Sequence, residues 1–142
     1  FDTVLMLFTG FGYFDDKENQ QVLNETGRVL RSKGFFFMDY LNEAELRNNL
    51  VPQNVQHQNG FTIHQYRQIS AQDRVEKKII ITNQETGEEK EYHESVKLYS
   101  VSDIEHMLSK SGLTVTNLFG SFKGEPWSQQ SPRSIFLAEK QS

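Results

Sequence analysis

Cysteine is absent from the sequence of 142 residues. Its absence excludes disulfide frameworks, thiolate metal sites and cysteine nucleophiles, and it is weakly favourable to a reducing compartment. No run approaches the ~18 consecutive apolar residues of a membrane-spanning helix, and the opening Phe1-Asp2 lacks the basic start of a secretory signal. We therefore expect a cytoplasmic protein that does not cross a membrane.

Basic residues are outnumbered by acidic ones. The 15 lysines and arginines stand against 19 aspartates and glutamates, which gives a net charge of −4 and offers no basic patch for nucleic acid. No Gly-x-Ser-x-Gly turn marks a serine nucleophile. The four histidines lack the spacing of a metal site: they are His57, His64, His93 and His106. We expect neither a nucleic-acid partner nor a bound metal.

Phenylalanine, in contrast, is abundant, with 11 in the chain. One group is formed by Phe8, Phe11 and Phe14, and another is the run 35–37. Aromatic side chains on this scale can form a core or line a pocket. The length is that of one domain, since domains cluster near ~100–150 residues, so we expect residues 1–142 to form a single domain.

The first forty residues predict a strand, a helix and a second strand. Residues 2–8 are a nearly continuous apolar run, which is typical of a strand buried on both faces of a parallel sheet. Acidic residues at 15–18 suit a helix start, and apolar residues then recur at helical spacing as far as Gly34. Residues 35–40 are a second apolar run, and this order favours a parallel pair of strands.

The middle of the chain predicts an antiparallel β-meander. Residues 42–60 are polar and rich in Asn and Gln, so we expect a surface connection there with a short helix over 43–50. Extended segments follow at 61–69, 75–83 and 91–99, and turn residues separate them.

The last third predicts one helix and two strands. Ser100 or Ser102 can cap a helix over 103–111, with its apolar residues on one face. Residues 113–119 and 134–138 have the composition of strands.

The sequence Gly10-Phe11-Gly12, with Asp39 ending the next strand, superficially matches a dinucleotide-binding fingerprint. The third glycine position is occupied by Asp15, and Asp16 adds a negative charge where a pyrophosphate would dock against the helix. The spacing to Asp39 is also longer than the ~20 residues of the fingerprint. We therefore favour a tight turn over a phosphate site.

The aromatic residues after the first strand allow two interpretations. In open parallel sheets, ligands bind beyond the carboxyl ends of the strands, which places Phe8, Phe11, Tyr13 and Phe14 well for a planar or cationic ligand. Packing under the following helix is an equally good interpretation. The glycine- and proline-containing loop 120–133 either covers a site or merely connects two strands.

Several stretches occur in a fixed order along the chain. They are Phe1-Asp2-x-Val4, Phe11-Gly12-Tyr13-Phe14, Asn19, Leu23, Arg28-Val29-Leu30, Gly34-Phe35, Asp39-Tyr40-Leu41-Asn42, His93 to Ser100, Asp103-Ile104-Glu105, Leu108 to Leu113, Gly120-Ser121-Phe122-x-Gly124-x-Pro126 and Ser131 to Ile135. In this order and spacing they resemble the second half of class I S-adenosylmethionine-dependent methyltransferases.

The resemblance implies an α/β fold with a partial Rossmann-like methyltransferase sheet. The family's seven strands have the order 3-2-1-4-5-7-6, and this chain would supply strands four to seven with flanking helices. Residues 61–99 would be an inserted antiparallel β-meander within one domain. The family's glycine-rich loop and ribose-binding acid would precede these residues, and the opening at Phe1 without methionine also favours a fragment.

The resemblance also implies site residues and a cofactor. The cofactor would be S-adenosylmethionine, bordered by Phe8, Thr9, Gly10, Phe11 and Tyr13. Four further residues, with Tyr13, would face or cover the methyl acceptor: Asp39, Tyr40, Tyr99 and Trp127. No residue is assigned as the general base.

The function that this resemblance implies is methyl transfer to a small-molecule acceptor, performed by a longer protein and not by the isolated chain. Residues 2–8 would then form an edge strand, which we expect to pair with another chain, most simply a second copy. The alternative is a non-enzymatic interaction or dimerisation module that uses this open sheet edge. A carrier of small apolar ligands, built around the phenylalanines, is a third hypothesis.

Overall fold

The computed structural model of the protein describes residues 1–141, which divide into two compact units. The large unit consists of residues 1–48 and 99–141, and the small unit consists of residues 49–98. The prediction that residues 61–99 are an insertion within one domain stays a prediction.

The described residues form three helices and eight strands. The helices are α1 (Asp16–Val29), α2 (Glu43–Asn49) and α3 (Val101–Lys110). The strands are β1 (Thr3–Met6), β2 (Phe35–Leu41), β3 (Gln53–Gln58), β4 (Phe61–Ile69), β5 (Arg74–Asn83), β6 (Glu89–Lys97), β7 (Leu113–Phe119) and β8 (Arg133–Lys140). Within residues 1–141, no helix is long and apolar enough to cross a membrane.

The sheet of the large unit has the order β1-β2-β8-β7. β1 and β2 are parallel, while β8 runs antiparallel to both β2 and β7. Helix α1 connects the two parallel strands, as the sequence predicts. The strand order matches strands four, five, seven and six of the methyltransferase sheet, so the predicted fold class is confirmed.

Both long helices of the large unit are capped by polar side chains, and of the two serines that the sequence offers for α3 the structure uses Ser100. The Asp15 carboxylate accepts a hydrogen bond from the Glu18 amide at 2.8 Å, which caps α1. Ser100 and Asp103 form a reciprocal capping box at the start of α3. The core buries Leu23 from α1 together with apolar residues from β2, α3 and β8: Phe36, Met38, Ile104, Leu108 and Phe136.

The prediction that the first strand is buried on both faces was wrong for the described chain. β1 has a hydrogen-bonded neighbour on one side only, β2, and the side chain of Leu5 is 62% exposed. In register, Leu5 lies beside Phe37 of β2, and Phe37 lies beside Leu137 of β8. An apolar row therefore spans three of the four strands, β8, β2 and β1, and ends at an exposed edge strand.

The sheet of the small unit is antiparallel throughout, in the order β3-β4-β5-β6. Strands β4, β5 and β6 confirm the predicted meander. The additional strand β3 was missed, because only Val55 is apolar in its sequence and every position but Asn54 is exposed. Backbone pairing with β4, and not burial, defines this strand.

Candidate functional site

The candidate site begins where β1 ends, at two residues with an uncommon backbone conformation. Phe8 and Thr9 have φ angles of +56° and +54°. The left-handed region is unfavourable for residues other than glycine, and for β-branched threonine it is a genuine outlier. Such conformations cost about 1–3 kcal/mol each and persist only where surrounding contacts enforce them. The contacts that enforce this turn therefore bear on the function of the site.

Asp39, at the carboxyl end of β2, supplies those contacts. Its carboxylate Oδ2 accepts the Phe8 amide at 2.9 Å, and its backbone carbonyl accepts the Thr9 amide at 3.1 Å. The side chain is 1% exposed. Because a buried carboxylate needs a counter-charge, a cation must lie beside it.

Arg133, at the start of β8, is that cation. Its Nε donates to Asp39 Oδ1 at 2.9 Å, and its Nη2 donates to the Thr9 hydroxyl. The turn after β1 is thereby joined to two neighbouring strands. Sequence reasoning assigned no role to Arg133, since 94 positions separate it from Asp39 and no local pattern links them.

The aromatic residues of the following loop separate into buried and exposed sets. The Phe11 ring is buried, with its centroid 6.1 Å from that of Tyr40 and 5.9 Å from that of Tyr99. Phe8 is 81% exposed, and Tyr13 is also exposed. The aromatic residues after β1 were expected either to contact a ligand or to pack under the helix. Phe11 is packed, whereas the rings of Phe8 and Tyr13 are exposed at the surface.

Hydrogen bonds fix this aromatic cluster. The Tyr99 amide donates to the Tyr40 hydroxyl at 3.0 Å, and the Tyr99 hydroxyl donates to Asp16 Oδ1 at 2.6 Å. Asn19, which is fully buried, donates to the Tyr99 hydroxyl at 3.0 Å and to the Phe14 carbonyl at 2.9 Å. Asn19 therefore holds the loop that carries Tyr13. It lies on the buried face of α1, and no local sequence pattern marks it as a support of this loop.

Trp127 lines a cavity of about 280 Å³ in the large unit, between the ends of β2 and the start of α3. Its indole Nε1 donates to Ser134 Oγ at 2.9 Å. The side-chain amide of Asn42 donates to the carbonyls of Ser128 and Ser131 at 3.0 and 2.8 Å, which fixes the loop before β8. The complete lining is Asn42, Glu43, Ala44, Ser100, Val101, Ser102, Trp127 and Gln129.

The close approach at Gly120 also shapes this loop. A Cβ atom added there would lie 2.3 Å from Ser131 Oγ, so only glycine fits. In the same loop, a hydrogen bond from Ser121 lowers the pKa of Glu125 below its ordinary value.

Of the sequence-predicted site residues, the structure brings Phe8, Thr9 and Asp39 together.

The remaining predicted residues lie in separate surroundings. Phe11, Tyr40 and Tyr99 form the buried cluster. Gly10 follows the strained turn, and a Cβ atom added there would lie 3.1 Å from Met6 Cγ. Their roles in cofactor or acceptor binding stay predictions. The described residues contain no group of three His, Cys, Asp or Glu side chains placed to hold a metal ion.

No family model matches the sequence, and no curated protein matches it. Solved structures do match. The chain is similar to an S-adenosylmethionine-dependent methyltransferase from Clostridium acetobutylicum, with a TM-score of 0.89 and 16% identity, covering 100% of this chain and 59% of that one. It is also similar to the CcbJ methyltransferase from Streptomyces caelestis, with a TM-score of 0.86 and 12% identity, covering 100% and 58%.

A third similar structure is S-adenosylmethionine-bound CalS10 from Micromonospora echinaspora, described as an amino pentose methyltransferase. The TM-score is 0.68 and the identity 14%, with 99% of this chain and 58% of that chain covered. The chain has the fold of these methyltransferases. It spans less than two thirds of their length, and identities this low show the fold alone.

Proposed function

We propose that this chain is the C-terminal portion of an S-adenosylmethionine-dependent methyltransferase that acts on a small-molecule acceptor. The observation that carries the proposal is the match of the entire described fold to a protein of that activity, with a TM-score of 0.89. When bound, the cofactor supplies a methyl group activated by a sulfonium. For an in-line displacement, the protein mainly has to align the acceptor with the methyl group and to exclude water from the site.

The residues at the carboxyl end of β1 fit one side of such a cofactor. The exposed ring of Phe8 can offer its face to a sulfonium cation. Thr9, Gly10 and Tyr13 continue the same loop, and Phe11 can contribute only its backbone because its ring is buried. We therefore assign these five residues to the border of the cofactor, as the sequence resemblance implies.

We assign the acceptor side to Tyr13, Asp39 and Trp127, while Tyr40 and Tyr99, whose rings are buried, would support it by holding the surrounding segments. Trp127 lines a cavity of about 280 Å³ that a small molecule can enter. Asp39 has both carboxylate oxygens engaged, by Phe8 and Arg133, so it would act on the acceptor by setting the turn. CalS10 is described as acting on an amino pentose, which supports a small-molecule acceptor here.

We further propose that catalysis belongs to a longer protein. The chain accounts for 58–59% of the length of the two structures with the higher TM-scores. The apolar row that ends at the exposed Leu5 suits a position inside a wider sheet. Another polypeptide segment would then pair with β1 and supply the missing side of the cofactor site, and the isolated chain would be inactive.

The experiment is complementation. The 142-residue chain is mixed with a separately made polypeptide encoded upstream of it, and transfer of a labelled methyl group from S-adenosylmethionine to a panel of amino sugars is measured. Activity is expected only in the mixture. An upstream sequence without a strand followed by a glycine-rich turn would remove the basis of the catalytic proposal.

A second candidate function, an interaction or dimerisation module, is favoured by the same exposed edge. It predicts that the chain alone forms a dimer through residues 2–8. Leu5→Lys should then give a monomer, while Asn117→Lys, an exposed position on the opposite edge strand β7, should leave the dimer intact. Light scattering after size exclusion separates the two outcomes.

A further inference from the structure

A second cavity, of about 620 Å³, lies entirely within the small unit. It is lined by Pro52, Tyr66, Arg67, Gln68, Glu76, Lys77, Lys78, His93, Glu94 and Ser95. Pro52 precedes β3, and the other nine residues come from β4, β5 and β6. None of them belongs to the site described above.

The strand register shows which side chains enclose this cavity. Tyr66, Lys78 and His93 lie side by side across the three strands, and so do Gln68, Glu76 and Ser95 two positions along. Because side chains alternate between the faces of a sheet, these six share one face. The row between them, Arg67, Lys77 and Glu94, points to the opposite face and contributes backbone to the cavity floor.

Tyr66 is held as a rigid aromatic platform. Its ring stacks on His64 with centroids 4.2 Å apart and an angle of 18°, and its hydroxyl lies 3.2 Å from His64 Nδ1. His64 in turn lies 3.1 Å from Gln53 Oε1. His64 does not line the cavity, whereas Lys78 does, and its Nζ lies 5.6 Å from the Tyr66 ring centroid, so the ring borders the cavity together with the Lys78 ammonium.

Polar groups with spare hydrogen-bonding capacity surround this platform. Gln68 Nε2 donates to Glu76 Oε2 at 3.3 Å, which leaves Glu76 Oε1 as an acceptor. Ser95 Oγ accepts from Arg74 at 2.6 Å, and its own hydroxyl hydrogen is available to a ligand. Donors and acceptors therefore alternate along the wall beside the ring.

At the rim of the cavity, Glu91 contacts both Lys78 and His93. Lys78 Nζ lies 3.6 Å from Glu91, whose second oxygen lies 2.7 Å from His93 Nε2. Lys78 and the Arg74 guanidinium on Ser95 carry two positive charges, and Glu76 and Glu91 carry two negative charges. These charges balance, which disfavours phosphorylated or polyanionic ligands.

We propose that this cavity binds the ring of an uncharged sugar. The apolar C–H face of a pyranose would pack on the Tyr66 ring, and its hydroxyl groups would bond to Gln68, Glu76 and Ser95. A preformed aromatic surface with a few convergent polar groups is the composition of a ligand site. The site lies within the small unit alone, so it does not depend on the methyltransferase proposal.

The test is a titration of the ¹⁵N-labelled 142-residue chain with methyl β-glucopyranoside, followed by amide chemical shifts. We expect saturable shifts confined to residues around Tyr66, Glu76 and Ser95, with a dissociation constant on the order of 10 mM or tighter. Glucose 6-phosphate should bind more weakly. Tighter binding of the phosphate would overturn the charge argument, and the absence of saturable shifts would overturn the proposal.

Matched variants locate the site. Tyr66→Leu should weaken binding by about fivefold or more, while Tyr92→Leu, an exposed tyrosine on the opposite sheet face, should bind like the parent chain. Glu76→Gln, which keeps the shape of the side chain, provides a second test if Tyr66→Leu does not fold. Equal affinity in Tyr66→Leu and Tyr92→Leu, or in Glu76→Gln and the parent chain, would contradict the assignment.

Discussion

In the large unit, β2 buries five of its seven residues and β8 buries four of its eight, whereas in the small unit β4 and β5 have no fully buried residue. Both sheets have four strands. The large sheet can therefore rely on apolar burial, and the small sheet depends more on its backbone ladder and cross-strand pairs. Equivalent substitutions should therefore change the free energy of unfolding by very different amounts in the two units.

The largest difference is expected for phenylalanine. Phe36→Ala empties a fully buried position in β2, and this should lower the free energy of unfolding by about 3–5 kcal/mol. Phe61→Ala, at a position 41% exposed in β4, should cost less than about 1 kcal/mol. Urea denaturation followed by circular dichroism measures both. Equal losses would show that burial does not distinguish the units.

The next largest difference in stability is expected between the ion pairs of the two units. Asp39→Asn removes the charge that compensates Arg133 in a partly buried setting, and we expect a loss of about 2 kcal/mol. Faster hydrogen exchange at the Phe8 amide should accompany it. Glu91→Gln, in the exposed pair with His93, should leave stability unchanged. In Asp39→Ala, which leaves no side-chain acceptor for the Phe8 amide, an unaltered exchange rate of that amide would disprove the anchoring of the turn.

Tyrosine hydroxyls provide a smaller contrast. Tyr99→Phe removes the hydroxyl that contacts Asp16 and Asn19, and the loss should be about 1–2 kcal/mol. Tyr92→Phe removes a hydroxyl from an exposed ring and should have no measurable effect. Thermal unfolding of the two variants compares them directly, and a destabilised Tyr92→Phe would show that exposure is a poor guide in the small unit.

The smallest effect concerns pH. The hydrogen bond from His93 holds the pKa of Glu91 below its ordinary value, and Lys78 adds to this. A carboxyl whose pKa is lowered by folding stabilises the folded state above its unfolded pKa, and this contribution is lost as the pH falls through the folded pKa. His93→Ala should therefore raise the Glu91 midpoint in an NMR titration. A midpoint that stays in place would assign the shift to Lys78.

The candidate site was predictable in part. The loop after β1 stands out in the sequence because aromatic and glycine residues follow an apolar strand, and the structure places Phe8, Thr9 and Asp39 in direct contact there. Arg133 and Asn19 were not predictable as supports of that loop. Their partners are remote in sequence or depend on which side chains are buried, and neither property has a local signature.

The sequence by itself determined the elements whose signals are local. The acidic start of α1, a serine cap at position 100 or 102 before α3, and the apolar runs of β1 and β2 all follow from neighbouring residues. The structure then selected Ser100 as the cap. The order and spacing of the motifs also resembled those of class I methyltransferases, and this resemblance implied the sheet.

Tertiary structure decided the rest. It left one face of β1 exposed, recruited the polar segment β3 by backbone pairing, and joined Asp39 to Arg133 across 94 positions. The physical reason is common to all three. Burial, strand pairing and ion-pair partners depend on which parts of the chain meet, and that is settled only when the packed units exclude water.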